Sequence, residues 1–196
     1  MVSLCSLSDT ATQLIFVDES KFSPNKLARA RKVGPKGQER IFVEHRPNER
    51  RFNMLLMTTL AIDNDPLFFE LRDGTVDAGV FLSFIEAAVR QGRVPPGSII
   101  VWDNARIHCA AATLAELDRI ITAAGATRAN LPSYSPEFNP CELVFAEVKT
   151  YLRNHTRPGW SLRDRTLEAA GSVTYKNLLA YYQHCTSVAL RSWDDQ

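Results

Sequence analysis

The chain has 196 residues, 23 Lys and Arg against 22 Asp and Glu, and 45% apolar residues, enough for one packed core. No apolar run reaches the roughly 18 residues a membrane helix needs, and the opening MVSLCSLSDTATQ lacks the basic and long apolar regions of a signal peptide. Cys5, Cys109, Cys141 and Cys185 are scattered, with no CxxC pair, which argues against a zinc knuckle and for small buried side chains in an intracellular protein.

Residues 1–12 read as a tail. Gln13 to Val17 is short, apolar and partly β-branched, so it predicts a buried strand with Asp18 at its C-terminal end. Pro24, Gly34, Pro35 and Gly37 mark residues 19–40 as a loop or arm, with a short strand over 41–44. This arm is basic: Lys26 to Arg51 holds nine Lys or Arg and three Glu. Either it meets phosphates or it is a solvated charged loop.

Phe52 to Ile62 and Leu67 to Leu71 predict the second and third strands, separated by the turn Asp63-Asn-Asp-Pro66. Asp77 to Gln91 is helical, with Phe81, Phe84, Ile85 and Ala88 on one face. Ser98 to Trp102 is a fourth strand, terminated by Asp103. Cys109 to Ala124 is a second helix, stopped by Gly125, and Thr127 to Leu131 a fifth strand. The segment 132–140 is too proline-rich for either regular state. A third helix follows from about Pro140 to Asn154, then a connector over 155–171 and a last amphipathic helix over roughly 173–190. Three consecutive strands suggest an antiparallel meander, and the later alternation suggests parallel additions through crossover helices. The fold class is therefore α/β, a mixed five-stranded sheet flanked by helices.

Two aspartates end apolar strands, at Val17-Asp18 and Trp102-Asp103. A carboxylate beside a buried strand is costly unless it is paired or binds metal. Ligands collect at the carboxyl ends of strands in open sheets. Glu142 falls in the first turn of the third helix, with Asn139 as N-cap and Pro140 at N1. Local roles compete with this reading. Asp18 could cap a turn, Asp103-Asn104 could form an Asx-turn, and Glu142 could complete a capping box with Asn139. Converging carboxylates repel one another unless hard cations such as Mg²⁺ or Mn²⁺ join them. Two such ions can activate a nucleophile and stabilise a leaving oxygen in phosphodiester chemistry. No GxSxG elbow and no P-loop occur, so neither a serine hydrolase nor a nucleotide cofactor is implied.

Three stretches carry a family resemblance: Phe16-Val-Asp-Glu-Ser-Lys-Phe22, Val101-Trp-Asp-Asn-Ala-Arg-Ile-His108 and Leu131-Pro-Ser-Tyr-Ser-Pro-Glu-Phe-Asn-Pro-Cys-Glu142. They resemble, in order, the three signature blocks of the mariner-like transposases, over roughly residues 13–155. The segment 156–196 is then a C-terminal connector and helix. The resemblance implies a ribonuclease H-like fold, with Asp18, Asp103 and Glu142 as the catalytic and metal-binding acids. It also implies two Mg²⁺ or Mn²⁺ ions and cut-and-paste transposition of DNA by a homodimer. An insertion after the first strand, here about 21–51, would hold DNA through Lys21, Arg29, Arg31, Lys32, Lys36 and Arg40. Asn104, His108 and Tyr134 would support the site. Arg106 stands where a proline is common, Cys141 where an aliphatic residue is common, and 38 residues separate Asp103 from Glu142.

The chain begins 17 residues before Asp18, so end recognition by a helix-turn-helix domain is not expected of it. The expected compartment is the nucleus in a eukaryote or the cytoplasm in a bacterium. The rivals are an inactive transposase-derived DNA- or protein-binding module and a ribonuclease H-type nuclease.

Overall fold

The computed structural model describes residues 13–27, 49–62, 65–104, 111–155, 157 and 159–194. The expected strand over 41–44 lies outside them. Five strands form one sheet: β1 (Leu14–Phe22), β2 (Phe52–Thr59), β3 (Leu67–Arg72), β4 (Ile99–Trp102) and β5 (Thr127–Asn130). Their spatial order is β3-β2-β1-β4-β5. The first three pair antiparallel, and β4 and β5 join β1 in parallel. The mixed five-stranded sheet is thus the one expected.

Alternation along the strands makes two cores. Ile15, Val17, Leu55, Met57, Ile100 and Trp102 pack on one face against Phe81, Phe84 and Ile85 of α2 (Ala78–Arg90) and Leu117 and Ile121 of α3 (Ala111–Ala123). Phe16, Phe22, Met54, Leu56 and Val101 pack on the other face. There they meet Cys141, Val144, Phe145 and Val148 of α4 (Pro140–Asn154), Leu162 and Ala169 of α5 (Leu162–Gly171), and Leu178 and Tyr182 of α6 (Tyr175–Asp194). A short helix, α1 (Pro24–Leu27), follows β1. No described helix is long and apolar enough to cross a membrane.

Helix ends follow their local signals. Asp77 caps α2 by accepting from the Val80 N–H at 2.9 Å. Gly125, at φ +73°, closes α3 with its N–H on Thr122 O, and an added Cβ would press on Pro96 at 3.3 Å.

Three expectations need correction. Asp18 does not end β1. The strand continues to Phe22 because β2 pairs with it throughout, from Ile15–Thr59 to Phe22–Phe52. β2 itself stops at Thr59, short of Ile62, where its pairing with β1 and β3 runs out. Part of the expected connector over 155–171 is α5, started by a capping box in which Ser161 Oγ accepts from Asp164 N–H and Asp164 Oδ2 accepts from Ser161 N–H. Its buried Leu162, Ala169 and Ala170 join the main core, so this segment is structural.

Candidate active site

Strand register positions the two aspartates. The parallel β1–β4 ladder ends at Phe16–Val101. Two residues beyond that pair come Asp18, still within β1 and by the pleat on the α4 face, and Asp103, one residue past the end of β4. β4 stops at Trp102 while β1 runs on, and an open cleft of about 380 Å³ lies at that step. Asp18, Asp103, Asn104, Tyr134, Asn139 and Glu142 all line it.

Glu142 reaches the cleft through the start of α4. Asn139 caps the helix: its Oδ1 accepts from the Cys141 N–H at 3.1 Å, and Pro140 occupies N1. The Asn139 N–H donates to Pro136 O at 3.0 Å, so it is not the partner that a capping box through Glu142 would need. The Glu142 carboxylate is exposed at the positive end of α4, where an anion is favoured. Asp103 is likewise exposed, whereas Asp18 is half-buried.

Asp18 is the strained member. Its carboxyl is pushed up from 3.8 to about 7, mainly by burial and next by the negative charge of Glu142, with smaller contributions from Glu19 and Asp103. The Glu19 N–H, which donates to Asp18 Oδ1 at 2.7 Å, opposes this rise without cancelling it. The other oxygen, Oδ2, accepts from Asn139 Nδ2 at 2.8 Å. Near neutral pH the pocket therefore disfavours the anion that a cation would favour. The donor set is all oxygen, which suits Mg²⁺ or Mn²⁺ and not a soft metal. Among the described residues, no three His, Cys, Asp or Glu side chains are gathered closely enough to hold a metal ion as they stand. The acids share a cleft rather than a closed ligand cage.

Asn139 was legible in the sequence only as a cap. It is 2% exposed, and one amide does two jobs: Oδ1 starts α4 and Nδ2 holds Asp18. The element carrying Glu142 is thereby tied to the strand carrying Asp18. The signal available was the Asn-Pro pair before an acid; its second partner, 121 residues away, was not.

Asn104 staples the two loops above the sheet edge. Its Nδ2 donates to Leu131 O at 2.7 Å and its Oδ1 accepts from Asn130 Nδ2 at 2.9 Å. Tyr134 stands fully exposed on the proline-rich loop, which contains one 3₁₀ turn, Pro136–Phe138. Lys21 is exposed on β1, an odd number of residues from Asp18 and so on the opposite face. Arg29, Arg31, Lys32, Lys36, Arg40 and His108 lie outside the described residues, as do Cys5, Arg106 and Cys109.

Cys141 fills the aliphatic position that the sequence leaves in question. It is fully buried, with Sγ donating to Phe16 O at 3.4 Å, and burial pushes its thiol well above the ordinary range. Cys185 is also buried. Neither is a reactive thiolate.

Residues 13–164 match the family model described as DDE superfamily endonuclease. No curated protein is similar enough in sequence to count as a match. Among solved structures, the chain is similar to a pre-cleavage Mos1 transpososome, with TM-score 0.63 and 18% identity over 97% of this chain and 58% of that one. It is similar to the Mos1 strand transfer complex, with TM-score 0.64 and 17% identity over 95% of this chain and 56% of that one. It is also similar to the Mos1 mariner paired-end complex with Mn, with TM-score 0.62 and 16% identity over 95% and 57%. The chain thus spans less than three fifths of the solved chains it matches. At these identities the likeness establishes the ribonuclease H-like fold. With the family match extending from Gln13 to Asp164, the chain belongs to the DDE superfamily endonucleases.

Proposed function

We propose that this chain is the catalytic domain of a cut-and-paste DNA transposase, cleaving a DNA strand and joining the freed 3′-hydroxyl to target DNA. The carrying observation is that Asp18, Asp103 and Glu142, far apart in sequence, line one cleft whose most buried acid is disfavoured as a bare anion. The solved neighbours include a strand transfer complex and paired-end complexes with Mn and with Mg. Those are structures of other proteins, but strand transfer is the reaction class proposed here, and Mn and Mg are the cations that an all-oxygen set selects.

Asp18, Asp103 and Glu142 would hold two Mg²⁺ or Mn²⁺ ions. Bound ions would supply a nucleophile at neutral pH and charge stabilisation for the leaving oxygen. The protein's own task is positioning. Asn139 fixes one Asp18 oxygen and Glu19 N–H the other, so the carboxylate cannot rotate freely. Asn104 fixes the loops that wall the cleft. The charge balance of residues 26–51, nine Lys or Arg against three Glu, suits contact with phosphates. Lys21, Arg29, Arg31, Lys32, Lys36 and Arg40 are the proposed contacts, on DNA held by a homodimer.

Nicking of duplex DNA tests this reading. Wild type should nick with Mn²⁺ or Mg²⁺ and be silent in chelator, and Asp103→Ala should lose at least a hundredfold, in line with removing a group that places the reacting atoms. Joining of a labelled 3′-hydroxyl oligonucleotide separates a transposase from a ribonuclease H-type nuclease. Indistinguishable wild type and Asp103→Ala would leave a binding module instead.

A further inference from the structure

We infer that Tyr134 is a stacking platform for an unpaired nucleobase beside the phosphodiester that the cleft receives. The inference rests on the DNA-cleaving reading above and adds a ligand contact to it.

Tyr134 has φ +60°, the one positive value at a non-glycine position among the described residues. A Cβ makes that conformation unfavourable, and the hydrogen bond that spans it, Ser135 Oγ to Ser133 O at 3.4 Å, is long. The conformation aims the ring outward: Tyr134 is 101% exposed, whereas the other exposed large apolar side chains lie between 36% and 54%. A phenol wholly in water contributes nothing to folding, so the strain is not offset by packing of the ring.

The loop beneath it is held firmly. Leu131 N–H donates to Trp102 O at 2.8 Å and Leu131 O accepts from Asn104. Pro132 and Pro136 restrict the backbone on either side, and Asn139 N–H closes the 3₁₀ turn on Pro136 O. The ring is thus presented from a braced support at the rim of the cleft lined by Asp18, Asp103 and Glu142. The cleft floor is acidic, and what its rim offers a DNA strand is a π-face. Every base has a matching face, and stacking on an aromatic side chain does not depend on sequence. A base swung out of the helix next to the reacting phosphate would meet Tyr134 and leave the strand bent toward the acids.

The test uses short duplexes carrying a single bulged nucleotide, either with its base or abasic. Affinity is read by fluorescence anisotropy in Ca²⁺, an oxygen-seeking cation used to limit cleavage during the measurement. Wild type should bind the base-containing bulge about tenfold more tightly than the abasic one, the low end for one stacked base. Tyr134→Trp should keep the preference and Tyr134→Asn should abolish it. Asn tolerates positive φ, so Tyr134→Asn should melt no lower than wild type, which excludes misfolding as the cause. Equal affinity of wild type for both duplexes, including no affinity for either, overturns the inference. So does a preference that survives Tyr134→Asn. Metal-dependent nicking is scored separately on the same proteins. A base preference without nicking would sink the transposase reading alone, and nicking without a preference would sink this one alone.

Discussion

Asp18→Asn should stabilise the metal-free protein at pH 8 and destabilise it at pH 4. In the fold the Asp18 carboxyl is raised from 3.8 to about 7. A carboxyl raised in this way contributes stability that is fully present below about pH 4 and is lost as pH climbs through about 7, because the native state keeps a proton that the unfolded chain has released. At about 1.36 kcal/mol per tenfold change in proton affinity, the full displacement would correspond to ~4 kcal/mol. The cleft is open to water, and screening and relaxation cut this to roughly half, about 2 kcal/mol. Asparagine removes the charge but offers one acceptor oxygen where Asp18 now meets two donors, Glu19 N–H and Asn139 Nδ2. The lost hydrogen bond costs about 1 kcal/mol at any pH. The net expectation is about +1 kcal/mol at pH 8 and about −1 kcal/mol at pH 4. For a chain of this length each kcal/mol moves Tm by roughly 2–4 °C. Thermal melts in chelator at the two pH values measure the crossing. An Asp18→Asn protein that melts below wild type by the same margin at both would refute the account of Asp18 as a strained acid. Adding Mn²⁺ extends the test, because it should raise the Tm of wild type and leave Asp18→Asn nearly unmoved.

Asn139→Ser keeps a capping oxygen for α4 but loses the donor to Asp18, so Tm should change by under about 1 kcal/mol equivalent while Mn²⁺ affinity, read by calorimetry, falls about tenfold. Asn139→Asp also keeps the cap but sets a carboxylate against Asp18, and it should weaken the apo fold as pH rises, the opposite of Asp18→Asn. Tyr182→Phe deletes a buried hydroxyl whose single proton is shared between Thr58 O at 2.9 Å and Leu14 O at 3.1 Å. It should cost about 1–3 kcal/mol in urea unfolding with an unchanged m-value, and a neutral effect would show that these carbonyls find other partners.

Much of this was readable along the chain because it is local. The 3.6-residue spacing of Phe81, Phe84, Ile85 and Ala88 made α2 visible, and Asn139-Pro140 marked the start of α4. The order of three acid-bearing blocks put Asp18, Asp103 and Glu142 forward as a candidate site before any geometry was available. What resisted reading depends on partners distant in sequence. Asp18 sits in mid-strand because β2 supplies hydrogen bonds as far as Phe22, and nothing local tells an apolar strand to continue through Asp-Glu-Ser-Lys. α5 was missed although Ser161 and Asp164 form its capping box, because its apolar face is short and gains meaning only against the core.

Most of the strands and helices, the faces they bury and the three candidate acids could be read along the chain, since propensity, periodicity and capping act over a few residues. Packing alone brings Asp18 and Asp103 to one cleft at the end of the β1–β4 ladder, ties Asn139 to Asp18, and lets burial beside Glu142 drive the Asp18 carboxyl toward neutrality. Register, desolvation and charge–charge energy depend on distances in space, and those exist only once the chain has closed on itself.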